Sequence, residues 1–148
     1  MSNRTFQLRL HSRHTPPERQ TTNLVVDYRN EQGNWEPQQL NLTLPGFRLY
    51  LISLLLCQHF YLVANALERQ IPLHAVEADV VVTTSHDWIV TAVEGEFRIQ
   101  LDPSASPQQH QLVDGGVIAS ILERMKLCPV SRNLPAGAEK RIDLTVLA

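Results

Sequence analysis

The feature that most constrains the fold is an uncharged, leucine-rich stretch in the first half of the chain. No charged residue occurs between Arg48 and Glu68, and the run 49–67 is too long for an ordinary strand. Leucine favours the helical conformation, and Pro45 is a suitable residue near a helix start. We therefore predict one long, buried helix that begins near Pro45.

This predicted helix is apolar on more than one side. Tyr50, Leu54 and Cys57 share one face, whereas Ile52 and Val63 lie on another. One small sheet covers only one of these faces. We therefore expect a homodimer, in which the partner chain covers the second face.

A membrane span is the alternative interpretation of the same stretch, because its length is close to the ~20 residues that a bilayer requires. Gln58, His59 and Asn65 would be costly in lipid, which favours burial in a soluble protein without membrane contact. The first ten residues contain no apolar segment of signal-peptide length. We therefore expect a cytoplasmic protein.

The remaining segments predict strands on both sides of the long helix. Alternating or β-branched patterns indicate strands at 5–10, 23–29, 35–44, 73–84, 88–101 and 140–147. We predict a loop at 11–22, an amphipathic helix at 108–127 and a short helical turn after Cys128. The predicted fold is α+β: a single domain, 1–148, with a long buried central helix and a second helix packed against antiparallel sheet.

Composition and charge exclude some classes of function. Hydrophobic residues make up 43% and charged residues 19% of the chain, which is typical of a folded globular protein. The formal net charge is −2, from 13 basic and 15 acidic residues. This balance gives no electrostatic basis for binding nucleic acid.

The cysteines are the clearest chemical feature of the sequence. Cys57 and Cys128 are too few for a disulfide-rich scaffold and too far apart for a C-x-x-C motif. A thiolate attacks a peroxide to give a sulfenic acid, and a second thiol condenses with it to form a disulfide. Cys128 precedes Pro129 at a predicted helix start, which favours its thiolate. Cys57 would need a basic group from elsewhere. The candidates are Arg13, Arg19 and Arg48.

Plainer roles for the cysteines compete with this one. An isolated cysteine in an apolar helix is as often simple core packing, and we give that role equal weight for Cys57 on local sequence. A structural disulfide is disfavoured in a reducing cytosol. Zinc is disfavoured because the histidines are scattered, and His59 points to a different helix face from Cys57. We expect no metal and no cofactor.

A family resemblance extends over most of the chain. The segment 127–134, Leu-Cys-Pro-Val-Ser-Arg-Asn-Leu, resembles the second-cysteine motif of the OsmC/Ohr proteins. Residues 54–57 and 66–77 are similar to that family's first-cysteine helix and the strand after it, and 97–101 resembles its later half. The match runs from Pro45 to the C-terminus, and the first 44 residues fit only in strand order.

The resemblance implies an intertwined homodimer that reduces hydroperoxides, often organic ones, at the expense of a dithiol reductant. Cys57 would be the peroxidatic cysteine and Cys128 the resolving one. An arginine of the early loop, Arg13 or Arg19, would stabilise the thiolate.

The sequence departs from the family at one point. The glutamate that holds the arginine in the family is missing, and Phe47 and Arg48 stand near its place. Arg48 is a candidate to compensate. The alternative function is therefore a catalytically degenerate dimer that serves as an interaction scaffold or binds an apolar small molecule in a cavity lined by Phe47, Phe60 and Tyr61.

Overall fold

Six strands form one sheet, and helices cover one of its faces. The structure is a computed structural model and describes residues 2–147, so the two end residues of the predicted domain lie outside it. The elements in chain order are β1 Arg4–His14, β2 Thr21–Arg29, β3 Trp35–Pro37, α1 Gly46–Glu68, β4 Leu73–Thr84, β5 Val90–Leu101, α2 Pro107–Gln111, α3 Gly115–Met125, α4 Pro129–Arg132 and β6 Glu139–Leu147. This arrangement confirms the α+β class.

The sheet is mixed, with the strand order β3-β2-β1-β4-β5-β6. Neighbouring strands from β3 to β5 are antiparallel, whereas β6 runs parallel to β5. The prediction of a purely antiparallel sheet was therefore wrong. The connection from β5 to β6 carries three helices, and such a crossover returns the chain to the end of the sheet from which β5 began.

The first strands differ in length from the prediction. Leu8 and Leu10 of β1 are buried, and the same two-residue alternation continues through Ser12 and His14, so 11–14 belong to the strand rather than to a loop. The strand predicted at 35–44 ends at Pro37, because proline donates no ladder hydrogen bond.

The helix predicted at 108–127 is divided into two. A break separates α2 from α3 between Gln111 and Gly115. The backbone N–H of Val117 donates to Asp114 Oδ1 over 2.8 Å, so Asp114 caps a new helix there. The break lies directly before Gly115 and Gly116, and glycine has a low helix propensity.

The long helix α1 forms where the uncharged run predicts it, from Gly46 to Glu68. Leu51, Leu55 and Leu62 face the sheet and are buried, but Phe60 is 68% exposed and Ala64 is also exposed. A single chain therefore leaves one face of α1 open. By length and hydropathy alone α1 could also cross a membrane, a test that the core helix of a soluble protein passes equally.

Candidate functional site

The two cysteines lie next to each other and form a disulfide. Their Cα atoms are 5.9 Å apart although 71 positions separate them in sequence. This distance lies within the limit of about 7 Å for a pair that can join without backbone movement. The structure therefore brings together the two residues that the sequence singled out.

The path of the chain explains why the two cysteines meet. Near the end of α1, Arg69 Nη2 donates to Ser120 Oγ of α3 over 2.8 Å. From that point α3 runs antiparallel to α1 and ends at Met125, which brings Cys128 back to the middle of α1. Cys128 then precedes α4, with Pro129 as the first residue of that short helix.

The two sulfur-bearing residues differ in their exposure. Cys128 is fully buried, whereas Cys57 is only half-buried in the middle of α1. Phe60 and Ala64, which lie one and two turns further along the helix, are exposed. A small molecule that approaches from solvent therefore meets Cys57 before Cys128.

The structure places the candidate arginines away from this disulfide. Arg48 is nine residues before Cys57, so it lies about 13 Å back along α1 and on the opposite face. Its guanidinium stacks on the ring of Tyr28, with 4.2 Å between the Cζ atom and the ring centroid. Arg19 donates to Asp102 Oδ2 over 2.9 Å and to the carbonyl oxygen of Leu73 over 3.0 Å.

Arg13 is the candidate that the structure leaves least occupied. Its side chain is exposed on β1, opposite Asn23 of β2 and Ala75 of β4. Among residues 2–147 it is neither in an ion pair nor stacked on an aromatic ring, and no arginine in that range donates a hydrogen bond to either sulfur. The role of an arginine in activating Cys57 stays a prediction.

Within a single chain Phe47 is distant from the other two residues of the predicted dimer cavity, and that cavity stays a prediction. Phe60 and Tyr61 are neighbours, with ring centroids 6.3 Å apart. Phe47 lies 13 positions before Phe60, about 20 Å away along α1. It packs against Phe6 and Trp88, with centroid distances of 5.1 and 5.3 Å.

A buried polar cluster close to the cysteines is a feature that the sequence did not reveal. Ser12 Oγ lies 2.9 Å from Nε2 of His14 and 2.9 Å from Nε2 of His59. All three residues are buried. The cluster links β1 to α1, because Ser12 and His14 are on the strand and His59 is on the helix. The alternation of β1 at Leu8 and Leu10 was the one sequence signal that could have placed Ser12 and His14 inside.

The hydrogen bonds of this cluster assign both histidine tautomers. His14 Nδ1 donates to the carbonyl oxygen of Arg19 over 3.2 Å, so the neutral ring accepts at Nε2. Ser12 therefore donates its hydroxyl proton to His14 Nε2 and accepts from the Nε2–H of His59. Ser12 can donate to His14 only while the ring of His14 is neutral.

Burial keeps the two rings neutral. Burial and, to a smaller extent, the neighbouring His14 lower the pKa of His59 from 6.5 to about 4. The pKa of His14 is also lowered, chiefly by burial and in part by His74, against the raising effect of its bond to Arg19. At neutral pH the cluster therefore carries no charge that could stabilise a thiolate.

A serine next to histidine can act as a nucleophile, but this serine cannot. Ser12 is completely buried, and its hydroxyl is held between two imidazole rings. No substrate reaches it from solvent. No group of three or more His, Cys, Asp or Glu side chains is arranged to hold a metal ion in the described part of the chain.

The loop 15–20 is held by an ion pair that connects it to the cluster. Arg19 supplies the carbonyl oxygen that fixes His14, and its side chain is bound by Asp102 at the end of β5. Hydrogen bonds from the side chain and the backbone of Ser104, and then the one from Arg19, hold the pKa of Asp102 well below its usual value. Arg19 therefore supports the histidine cluster. Its side chain also lines a small surface cavity, together with Leu67 and Ile71.

Two solved structures are similar to this chain. One is the crystal structure of a protein described for osmotic stress induction and detoxification response, from Psychrobacter arcticus 273-4. It has 12% identity, covers 82% of this chain and 86% of its own, and gives a TM-score of 0.48. The other is an OsmC-like hydroperoxide resistance protein from Jannaschia sp. CCS1. It has 14% identity, covers 87% of this chain and 85% of its own, and gives a TM-score of 0.48.

The second of these proteins is described as OsmC-like, which is the family that the sequence motifs resemble. No family model and no curated protein matches the sequence.

Proposed function

We propose that this chain is a cysteine-based peroxidase that reduces organic hydroperoxides through Cys57 and Cys128. The observation that carries the proposal is the disulfide between a half-buried cysteine on α1 and a fully buried one at the start of α4. A peroxide has to reach the first thiol, whereas a resolving thiol needs to reach only the first sulfur. The difference in exposure therefore supports Cys57 as the peroxidatic cysteine and Cys128 as the resolving one.

The chemistry balances with these two residues and one external reductant. The Cys57 thiolate attacks the terminal peroxide oxygen, the O–O bond breaks, and the alkoxide takes up a proton and leaves as an alcohol. The Cys128 thiolate then attacks the sulfur of the sulfenic acid, the S–S bond forms, and hydroxide leaves as water. A dithiol of the cytoplasm returns the disulfide to two thiols by exchange.

We also propose that the chain works as a homodimer. The exposed Phe60 and Ala64 form part of an apolar face on α1 that continues into Leu24 of β2. A second copy of the chain would remove this face from water. It would also cover Cys57 and so shape the path by which the peroxide arrives.

A second candidate function is a binding protein without peroxidase activity. It is favoured because no arginine among residues 2–147 donates a hydrogen bond to either sulfur atom. A groove of about 620 Å³ between α1 and β2 is lined by Leu56, Phe60 and Val63. This groove would take an apolar small molecule. Peroxide reactivity separates the two functions.

The decisive experiment is a stoichiometric reaction of the reduced protein with cumene hydroperoxide. We expect wild type to lose both thiols quickly and to form the disulfide. Cys128→Ser should stop at a sulfenic acid on Cys57 that a dimedone probe traps, and Cys57→Ser should react only at the background rate. Wild type that reacts no faster than a free thiol at the same pH would support the binding protein instead.

The same variants test which cysteine has which role. If Cys57→Ser retains the fast first oxidation and Cys128→Ser loses it, the roles are reversed. Arg13→Gln is the matched variant for activation, and the exposed Arg141→Gln on β6 is its control. A slower first oxidation in Arg13→Gln alone would identify Arg13 as the group that stabilises the thiolate.

A further inference from the structure

A second cavity lies at the other end of α1 and contains none of the cysteine chemistry. It has a volume of about 450 Å³ and opens between the start of β1, the end of β2 and the first turn of α1. Its walls include three arginines and four aromatic residues: Arg4, Arg29, Arg48, Phe6, Tyr28, Phe47 and Trp88. A volume of this size is typical of sites for small organic ligands.

The arginines of this cavity lack acidic partners. Among the ion pairs of residues 2–147 none involves Arg4, Arg29 or Arg48, whereas Arg19 and Arg98 are both paired. Arg4 Nε donates to the carbonyl oxygen of His86, and Arg29 donates to Gln7 Oε1 and to the carbonyl oxygen of Gly33. All of these acceptors are neutral.

Arg48 is the least satisfied of the three. Its Nε atom is buried and has no hydrogen-bond acceptor within the described residues. A buried donor without an acceptor is costly, and an anion in the cavity would remove that cost. Glu31 is the one acidic residue among the described lining residues, so three positive charges and one negative charge leave a surplus of two.

The start of α1 adds to the positive potential. The N-cap residue Pro45 provides no side-chain hydrogen bond, and the first turn contains no acidic residue. The first backbone N–H groups of a helix have no intrahelical acceptor, and the helix dipole favours negative charge there. Pro45, Phe47 and Arg48 all line the cavity, so this helix end and the arginines act on the same space.

The aromatic side chains provide flat apolar walls beside this charge. The rings of Phe47 and Trp88 lie 5.3 Å apart, and Phe6 lies 5.6 Å from Trp88. Arg4 stacks on Trp88, with 4.4 Å between its Cζ atom and the ring centroid. A ligand that fits both the charge and the walls has an anionic head and a flat apolar body.

We propose that this cavity binds a small aromatic carboxylate. The carboxylate would accept hydrogen bonds from Arg48 and from the first turn of α1, and the aromatic body would pack against Phe47 and Trp88. The planar guanidinium fork of Arg48 matches the two oxygens of a carboxylate, and the surplus of positive charge attracts that group. The proposal is independent of the cysteines and of the peroxidase function.

Nuclear magnetic resonance tests the proposal through the tryptophan that lines the cavity. The chain has two tryptophans, and Trp35 lies under Arg9 and near Arg29 without lining the cavity. Titration with 2-naphthoate should shift the indole N–H signal of Trp88 saturably and by more than that of Trp35. Its neutral analogue 2-naphthalenemethanol should bind at least about tenfold more weakly, since it lacks the charge.

Charge variants provide the second arm of the experiment. Arg48→Gln should weaken 2-naphthoate binding by at least about tenfold, and the exposed Arg132→Gln should not change it. Arg4→Gln is an additional variant in case Arg48→Gln does not fold. The proposal fails if 2-naphthoate shifts neither signal at about 1 mM, if the neutral analogue binds equally well, or if neither Arg48→Gln nor Arg4→Gln weakens binding. Tighter binding of 1-naphthyl phosphate than of 2-naphthoate would overturn the assignment to a carboxylate.

Discussion

The buried His59 should make the stability of this protein depend on pH in a defined window. Its pKa is about 4 in the folded chain and about 6.5 in a free histidine. Between these values the unfolded chain binds a proton that the folded chain does not, so the free energy of unfolding falls as the pH falls. Above pH ~6.5 the ring is neutral in both states and the effect disappears.

The size of the effect follows from the two pKa values. Linkage gives a loss of about 2 kcal/mol between pH 7 and pH 5 from His59 alone, and a limit of about 3 kcal/mol below pH 4. The lowered pKa of His14 acts in the same direction. Protonation of His14 also breaks the hydrogen-bond chain, because Ser12 Oγ then faces two N–H donors, His14 Nε2–H and His59 Nε2–H.

Urea unfolding of the oxidised protein at pH 7 and pH 5 measures this loss. The variant is His59→Gln, which keeps an N–H donor for Ser12 but has no proton to bind. The matched control is His110→Gln, since His110 is exposed on α2. We expect wild type and His110→Gln to lose about 2 kcal/mol more than His59→Gln between the two pH values. Equal losses in all three proteins would refute the reasoning.

Other parts of the structure lead to further predictions. Ser12→Ala should lower the free energy of unfolding by about 1–3 kcal/mol, because it leaves two buried ring nitrogens without a partner. The control is Ser2→Ala, at an exposed position. Equal urea unfolding curves for the two variants would contradict a stabilising role for the Ser12 hydrogen bonds. Reduction of the disulfide should lower the free energy of unfolding by about 4 kcal/mol, since the bond closes a loop of 71 residues; unchanged denaturation in dithiothreitol would contradict this. Phe60→Glu should convert a dimer to a monomer in light scattering, whereas Leu42→Glu, on an exposed loop, should not; a wild-type monomer at micromolar concentration would refute the dimer.

Local sequence signals predicted the helix and the long strands well. The run without charge between Arg48 and Glu68 predicted α1, and β4 forms from Leu73 to Thr84 as its β-branched pattern indicates. These elements were predictable because one local pattern, an uncharged run in α1 and β-branched residues in β4, continues along most of their length. The short β3 was not, since Pro37 interrupts a pattern that otherwise continues.

The sheet direction and the polar cluster depended on distant parts of the chain. The direction of β6 follows from the helices between β5 and β6, and a helical connection is itself a signal for parallel strands that the prediction did not use. Ser12 and His59 are 47 positions apart, and nothing local to either residue indicates the other. Polar residues at the end of β1 resembled the start of a loop because their partner was not visible in the sequence.

The position of Cys57 relative to His59 explains how α1 can hold a redox-active cysteine in place. Two residues correspond to a rotation of about 200° along a helix, so the two side chains leave α1 on nearly opposite sides. Cys57 is joined to Cys128 on one side, while His59 is bound through Ser12 to β1 on the other. Because the hydrogen bonds of His59 do not involve sulfur, opening of the disulfide leaves α1 attached to the sheet. The Cys57 thiol therefore keeps its place in the helix when the disulfide is reduced.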